Sequence, residues 1–239
     1  MVAAITPFNA PLNLVCHKVG PAFAAGNSVI LKPASQTTLI ATKLVKLLLE
    51  AGLPKNAINL VIGRREVGQQ IVKDDRVNVI SFTGGTVASE NICSLAGMKK
   101  VLLELGGNAA TVVHEDADLQ RAASMCAATG SSNSGQSCIS VQRIYVHKPV
   151  VEKFTALLKE AVAKLKIGDP LLLDTDIGTL VDTRNVDRIV EWVNEAVELG
   201  AELILGGKQH GATVEPTILL NSPKAVKLYV KKYSDQLLT

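Results

Sequence analysis

The sequence predicts an α/β protein, with a doubly wound parallel sheet over residues 1–105 and a second α/β region over 106–239. Three observations carry this. Hydrophobic residues make up 47% of the 239 but aromatics only 3%, so the interior is built from Ala, Val, Leu and Ile, which suits buried parallel strands covered by helices. Short β-branched runs alternate with stretches whose apolar residues recur at helical spacing, the rhythm of βαβ units. After "LELGG" the texture changes and a second series of elements begins, in a chain long enough to bury one large core or two modest ones.

In chain order, "VAAI", "SVIL", "AINLVI", "VNVISF" and "KKVLLEL" read as the five strands of the first region. Between the second and third, "QTTLIATKLVKLLLEAG" has the apolar spacing of a helix, stopped by Gly52 and Pro54. "VNVISFTGGTVAS" reads as a strand, a glycine turn and a helix start, and that helix stops at Gly97. The second region opens with strand "AATVV" and a helix through "ADLQRAASMCAAT", followed by a polar loop around Cys138. Strand "RIYVH", a helix from Pro149 to Lys166, a turn at "GDP", an amphipathic helix around Trp192 and strand "ELIL" complete it. The tail from Lys224 is more basic and does not continue the pattern.

Composition also excludes. A formal charge of +3, with basic and acidic residues interspersed, gives no extended basic face for a phosphate backbone, so nucleic acid is not an expected partner. Every apolar run is broken by charge short of the roughly 18 residues of a membrane span. Met1 leads into "VAAITPF" with no cationic segment or cleavage-type site, so no secretory signal is expected. The four cysteines, Cys16, Cys93, Cys126 and Cys138, show neither CxxC pairing nor metal-ligand spacing to histidine. They read as reduced thiols of a cytoplasmic protein with no metal site, and the first three, in helical patterns, as packing residues.

Three residues stand out chemically. Cys138 lies in "SSNSGQSC", where small polar neighbours allow backbone N–H groups to face a pocket and donate to a developing oxyanion. A small core cysteine is the blander alternative. Glu104 is the one polar residue in the strand end "VLLEL", where a buried carboxylate is costly unless it works; a strand-end glutamate reaching solvent is the alternative. Asn9 in "TPFNAPL" is either a carboxamide donor or a turn residue capping the next helix.

From "TPFNAPL" through "LKPASQT", "SFTGG", "LELGG" and "NSGQSC" to "VEPTIL", the chain resembles the aldehyde dehydrogenase superfamily, in order and spacing. Taken alone, each motif is weak; the combination is specific. The resemblance implies a Rossmann-like dinucleotide-binding domain over 1–105 and a catalytic domain over 106–239. It implies Cys138 as nucleophile, Glu104 as general base and Asn9 as oxyanion donor beside the Cys138 N–H. The small residues around Cys138 would leave room for an aldehyde and a nicotinamide. The activity implied is NAD(P)-dependent oxidation of an aldehyde to a carboxylic acid through a cysteine thiohemiacetal and thioester, by a homo-oligomer. The "SCISVQRIYVH" segment resembles the branch acting on lactaldehyde, glyceraldehyde and semialdehydes.

No G-x-G-x-x-G is present. The implied cofactor residues are Thr6, Pro7, Phe8, Lys32, Ser35, Gly63, Phe82, Thr83, Gly84, Gly85, Leu105 and Gly106, with free N–H groups where "FTGG" enters a helix facing a pyrophosphate. Where the family usually has Ser and Gly, this chain has Gly85 and Ser89. Gly85 permits a tight turn without a hydroxyl contact. Lys32 matches the lysine that contacts the adenosine ribose, although a strand-end lysine is otherwise solvated. Many NAD-preferring members carry Glu where this chain has Ser35; without that carboxylate the main barrier to a 2′-phosphate is gone, so NADP is expected to bind at least as well as NAD. Arg64 and Arg65 add charge nearby or are exposed loop arginines.

Family members are longer at both ends, and the Glu-x-Phe-Gly-Pro segment whose glutamate contacts the nicotinamide ribose has no counterpart after "VEPTILLNSP". The catalytic domain is therefore expected to be incomplete. Two alternatives stay open: a catalytically silent remnant or binding module, and a thiol esterase without hydride transfer.

Overall fold

The computed structural model describes residues 1–108 and 110–223 and the backbone of 237–238; the basic tail read from Lys224 otherwise lies outside the described residues. The chain divides into two compact units, Met1–Leu105 and Gly106–Thr239.

The first unit is a five-stranded, all-parallel sheet: β1 (Val2–Ile5), β2 (Val29–Lys32), β3 (Ile58–Leu60), β4 (Val79–Gly84) and β5 (Lys100–Leu105), in the order β3-β2-β1-β4-β5. All five are the runs expected from the sequence. Because successive side chains point to opposite faces, β1 divides its residues between two cores. Val2 and Ala4 join Val15, Val19 and Ala22 of α1 (Asn13–Ala24) and Ala41 of α2 (Thr38–Glu50). Ala3 and Ile5 join Ile71 and Val72 of α3 (Arg65–Lys73) and Ile92 and Ala96 of α4 (Thr86–Ala96). Helices cover both faces, so the sheet is doubly wound, and its order reverses direction between β1 and β4. Helix α4 stops at Gly97, whose φ of 60° favours glycine.

The second unit opens with the parallel pair β6 (Ala110–Val113) and β7 (Arg143–Val146). Helix α5 (Leu119–Ser131) connects them and packs with α6 (Val151–Ala163) around Phe154, Leu158, Val162, Ala123 and Cys126. Asp118 caps α5 by accepting from the Arg121 N–H at 3.0 Å. The amphipathic helix α7 (Thr183–Glu198) buries Val186, Ile189, Trp192 and Val193. After it come β8 (Glu202–Leu205), a hairpin of β9 (Gln209–His210) and β10 (Thr213–Val214), and β11 (Thr217–Leu220), which pairs antiparallel with β8.

Two expectations need correction. Cys16 and Cys93 are exposed on α1 and α4, and only Cys126 packs in a core, where burial pushes its thiol pKa up. Arg64 is exposed at the end of the loop after β3, as the N-cap of α3, whereas Arg65 is exposed but is the first residue of that helix and not on the loop.

Candidate functional site

In the first unit the residues singled out in the sequence gather at the carboxyl ends of the parallel strands, the edge where open α/β sheets bind ligands. Thr6, Pro7, Phe8 and Asn9 follow β1; Phe82, Thr83, Gly84 and Gly85 close β4; these two segments flank the reversal of strand order. The Thr6 N–H donates to the Lys32 carbonyl at 3.1 Å, which ties the loop after β1 to the end of β2. The hydroxyls of Thr6 and Thr83 are buried without a hydrogen-bond partner among the described residues. Unpaired buried hydroxyls are costly, and two on neighbouring strand ends mark a place where a polar group belongs.

Lys32 ends β2 and is 9% exposed, against the solvated lysine that a strand end would suggest. Its stem lies along α3, where a side chain on Gly68 would begin 3.5 Å from Lys32 Cε, and its Nζ donates to the Pro33 carbonyl at 3.3 Å. Burial lowers its pKa. Ser35 is exposed in the 3-10 turn Ser35–Thr37 that leads into α2. Gly63, after β3, has no room for a side chain, since a Cβ would stand 2.4 Å from Val67. Gly84 is similarly closed by the Phe82 ring at 2.5 Å. Gly85 is the N-cap of α4 with φ −78°, a value any residue adopts, so the turn does not require glycine there.

Glu104 is exposed on β5, so the argument from a costly buried carboxylate does not hold; the side chain reaches solvent. Its charge acts on a residue the sequence reading passed over. Lys18, on α1, is 8% exposed and donates to Ser81 Oγ on β4 at 3.1 Å. Burial lowers the Lys18 pKa, and the Glu104 carboxylate pulls it the other way. Asn9 is half-buried and does not cap α1, whose N-cap is Leu12 with no side-chain hydrogen bond.

In the second unit, Cys138 sits half-buried on the loop between α5 and β7. The loop turns through three residues with positive φ: Asn133 at 53°, Ser134 at 56° and Gly135 at 72°. Left-handed serine is uncommon, and here it is fixed by pairing: Ser134 Oγ accepts from the Gly178 N–H at 3.0 Å and donates to the Gly178 carbonyl at 3.1 Å. Gln136 Oε1 accepts from the Val181 N–H at 2.9 Å, and Ser140 Oγ donates to the Ser137 carbonyl at 2.9 Å. Ser134, Gln136 and Ser140 are all buried. The small polar residues around the thiol therefore anchor the loop.

The segment that follows β5 meets this loop. A Cβ on Gly107 would stand 2.6 Å from the Cys138 carbonyl oxygen, so Gly107 meets the backbone of the Cys138 loop where only glycine fits. Leu105 closes β5, and Gly106, half-buried, opens the second unit. Next, the Arg143 guanidinium on β7 donates to the Asn108 carbonyl at 2.9 Å, holding this strand in place.

The family model "Aldehyde dehydrogenase family" matches residues 1–232. The chain belongs to the aldehyde dehydrogenase family. It is 52% identical over 222 residues to the 3-sulfolactaldehyde dehydrogenase of Priestia aryabhattai, covering 92% of this chain and 46% of that protein. It is 42% identical over 224 residues to a lactaldehyde dehydrogenase of Methanococcus maripaludis, covering 92% and 48%. Among solved structures, the NADP-dependent glyceraldehyde-3-phosphate dehydrogenase of Bacillus halodurans C-125, complexed with NADP, superposes with a TM-score of 0.94 at 37% identity, over 99% of this chain and 50% of that one. The NAD-dependent aldehyde dehydrogenase of Sinorhizobium meliloti gives 0.96 at 31% identity, over 99% and 48%. This aldehyde dehydrogenase family chain thus spans about half the length of the relatives it matches. No helix among the described residues is long and apolar enough to cross a membrane.

Proposed function

We propose that this chain supplies the cofactor-binding and nucleophile-bearing parts of an enzyme that oxidises a small aldehyde to its carboxylic acid with NADP or NAD. The Cys138 loop supports this most directly: a half-buried thiol on a backbone anchored by buried Ser134 and Gln136 and closed by Gly107. The residues present fit a dinucleotide. The orphan hydroxyls of Thr6 and Thr83 offer partners to polar groups, the backbone at Gly84 and Gly85 enters α4, and Lys32 holds a cation beside the end of β2. Ser35 places no carboxylate against a 2′-phosphate.

In the proposed reaction the Cys138 thiolate attacks the aldehyde carbon, and the Cys138 N–H and the Asn9 carboxamide stabilise the oxyanion of the thiohemiacetal. When bound, the dinucleotide supplies the hydride acceptor that leaves Cys138 as a thioester. Glu104 takes a proton from water, which hydrolyses the thioester and returns the free thiol. The names of the relatives favour small aldehydes bearing hydroxyl or acid groups, and the proposal extends to a cytoplasmic homo-oligomer.

The test is reduction of NAD or NADP with a panel of such aldehydes. Cys138→Ala should abolish turnover while cofactor binding persists. Glu104→Gln should slow hydrolysis so that mass spectrometry finds the acylated chain. An alanine variant as active as wild type would end the proposal.

A further inference from the structure

Strands β6 and β7 run parallel, and the last rung of their pairing joins Val113 to Val146. The next residue on each strand is a histidine, and the His147 N–H still donates to the Val113 carbonyl at 2.8 Å. The register therefore sets His114 beside His147, with rings stacked at a centroid distance of 4.9 Å and 21° between planes. Glu115 brings its Oε2 to 3.4 Å from His147 Nδ1. One donor atom from each of the three residues lies within 4.8 Å of the others. Behind them, Asp116 Oδ1 lies 2.9 Å from His114 Nδ1. A carboxylate in that position fixes the tautomer of a metal-ligating imidazole and leaves the lone pair on Nε2.

We infer that His114, Glu115 and His147 form a site for one divalent transition-metal cation of the zinc, cobalt or nickel class. Two imidazoles and one carboxylate are a donor set that such cations accept with a coordination position left open. Metal–ligand bonds of about 2 Å hold tetrahedral donors roughly 3.3 Å apart, and the His147–Glu115 pair is already at 3.4 Å. The side chains are 42–61% exposed, so rotation can close the remaining distances without disturbing a core. The cation would bind both ends of the segment that carries α5 and the Cys138 loop, closing that segment into a ring and stabilising the folded second unit.

Titration of the untagged chain with Co2+ tests this. One Co2+ per chain is expected, with visible d–d bands, no thiolate charge-transfer band, displacement by Zn2+ and a raised unfolding midpoint. His114→Ala and His147→Ala should each weaken binding by more than about tenfold, and Asp116→Asn by roughly 10- to 100-fold. The exposed positions leave the fold intact, which circular dichroism checks. The inference fails if the chain shows no saturable binding, if the His114→Ala/His147→Ala double variant keeps its cobalt, or if a thiolate band accounts for all of it.

Discussion

Lys18 shows what a single side chain can conceal. Its spacing from Val15, Val19 and Ala22 places it on the inward stripe of α1, a signal present in the sequence but overridden by the habit of reading helix lysines as solvated. Its neighbours Ser81 and Glu104 come from strands β4 and β5, and no local pattern announces them. Burial lowers its pKa below the ordinary 10.5, so between the depressed native value and 10.5 the unfolded chain holds more protons than the folded one. Stability must therefore rise with pH through that window, because the penalty of a buried charge is full below it and gone above it. Urea unfolding of wild type and Lys18→Met from neutral pH upward should show the wild type gaining on the variant through the window. Parallel curves would mean that Lys18 titrates as an ordinary lysine. Glu104 teaches the converse, since its apolar sequence neighbours Leu102 and Leu103 are themselves exposed on β5. Local composition gave no measure of burial at that strand.

Among the elements, the strands and helices were legible because β-branched runs and helical periodicity are local properties. The Cys138 loop was legible only as polar. Its conformation depends on Gly178 and Val181, far along the chain, and its closure on Gly107. Gly107→Ala would press a methyl group against the Cys138 carbonyl at 2.6 Å, too close for any real contact, so the loop has to move. Under the proposed role of Cys138 as nucleophile, a displacement of a fraction of an ångström to 1 Å predicts a loss in kcat/KM on the order of 10²-fold, with the circular dichroism spectrum and urea midpoint little changed. Activity near wild type would show that the loop tolerates the shift. The His114–His147 pairing escaped the sequence for the same reason as Lys18: sequence spacing is silent about two parallel strand ends, and only the Val113–Val146 register joins them.

For the molecule as a whole, the buried clusters on the two faces of the five-stranded sheet draw only on residues before 106. A fragment of residues 1–105 should therefore unfold cooperatively in urea and gain stability with NADP, by about 2.7 kcal/mol at a hundredfold excess over Kd. A fragment that is unfolded, or blind to NADP, would show that this half depends on the rest of the chain. The same sheet imposes an order in time. Its central strand, β1, is synthesised before both neighbours, and β4 emerges last of the three. At roughly 5–20 residues per second, β1 leaves the ribosome several seconds before its second partner exists. During that interval one hydrogen-bonding edge of β1 is open to any other nascent strand, so the span before β4 emerges is the one most exposed to mispairing.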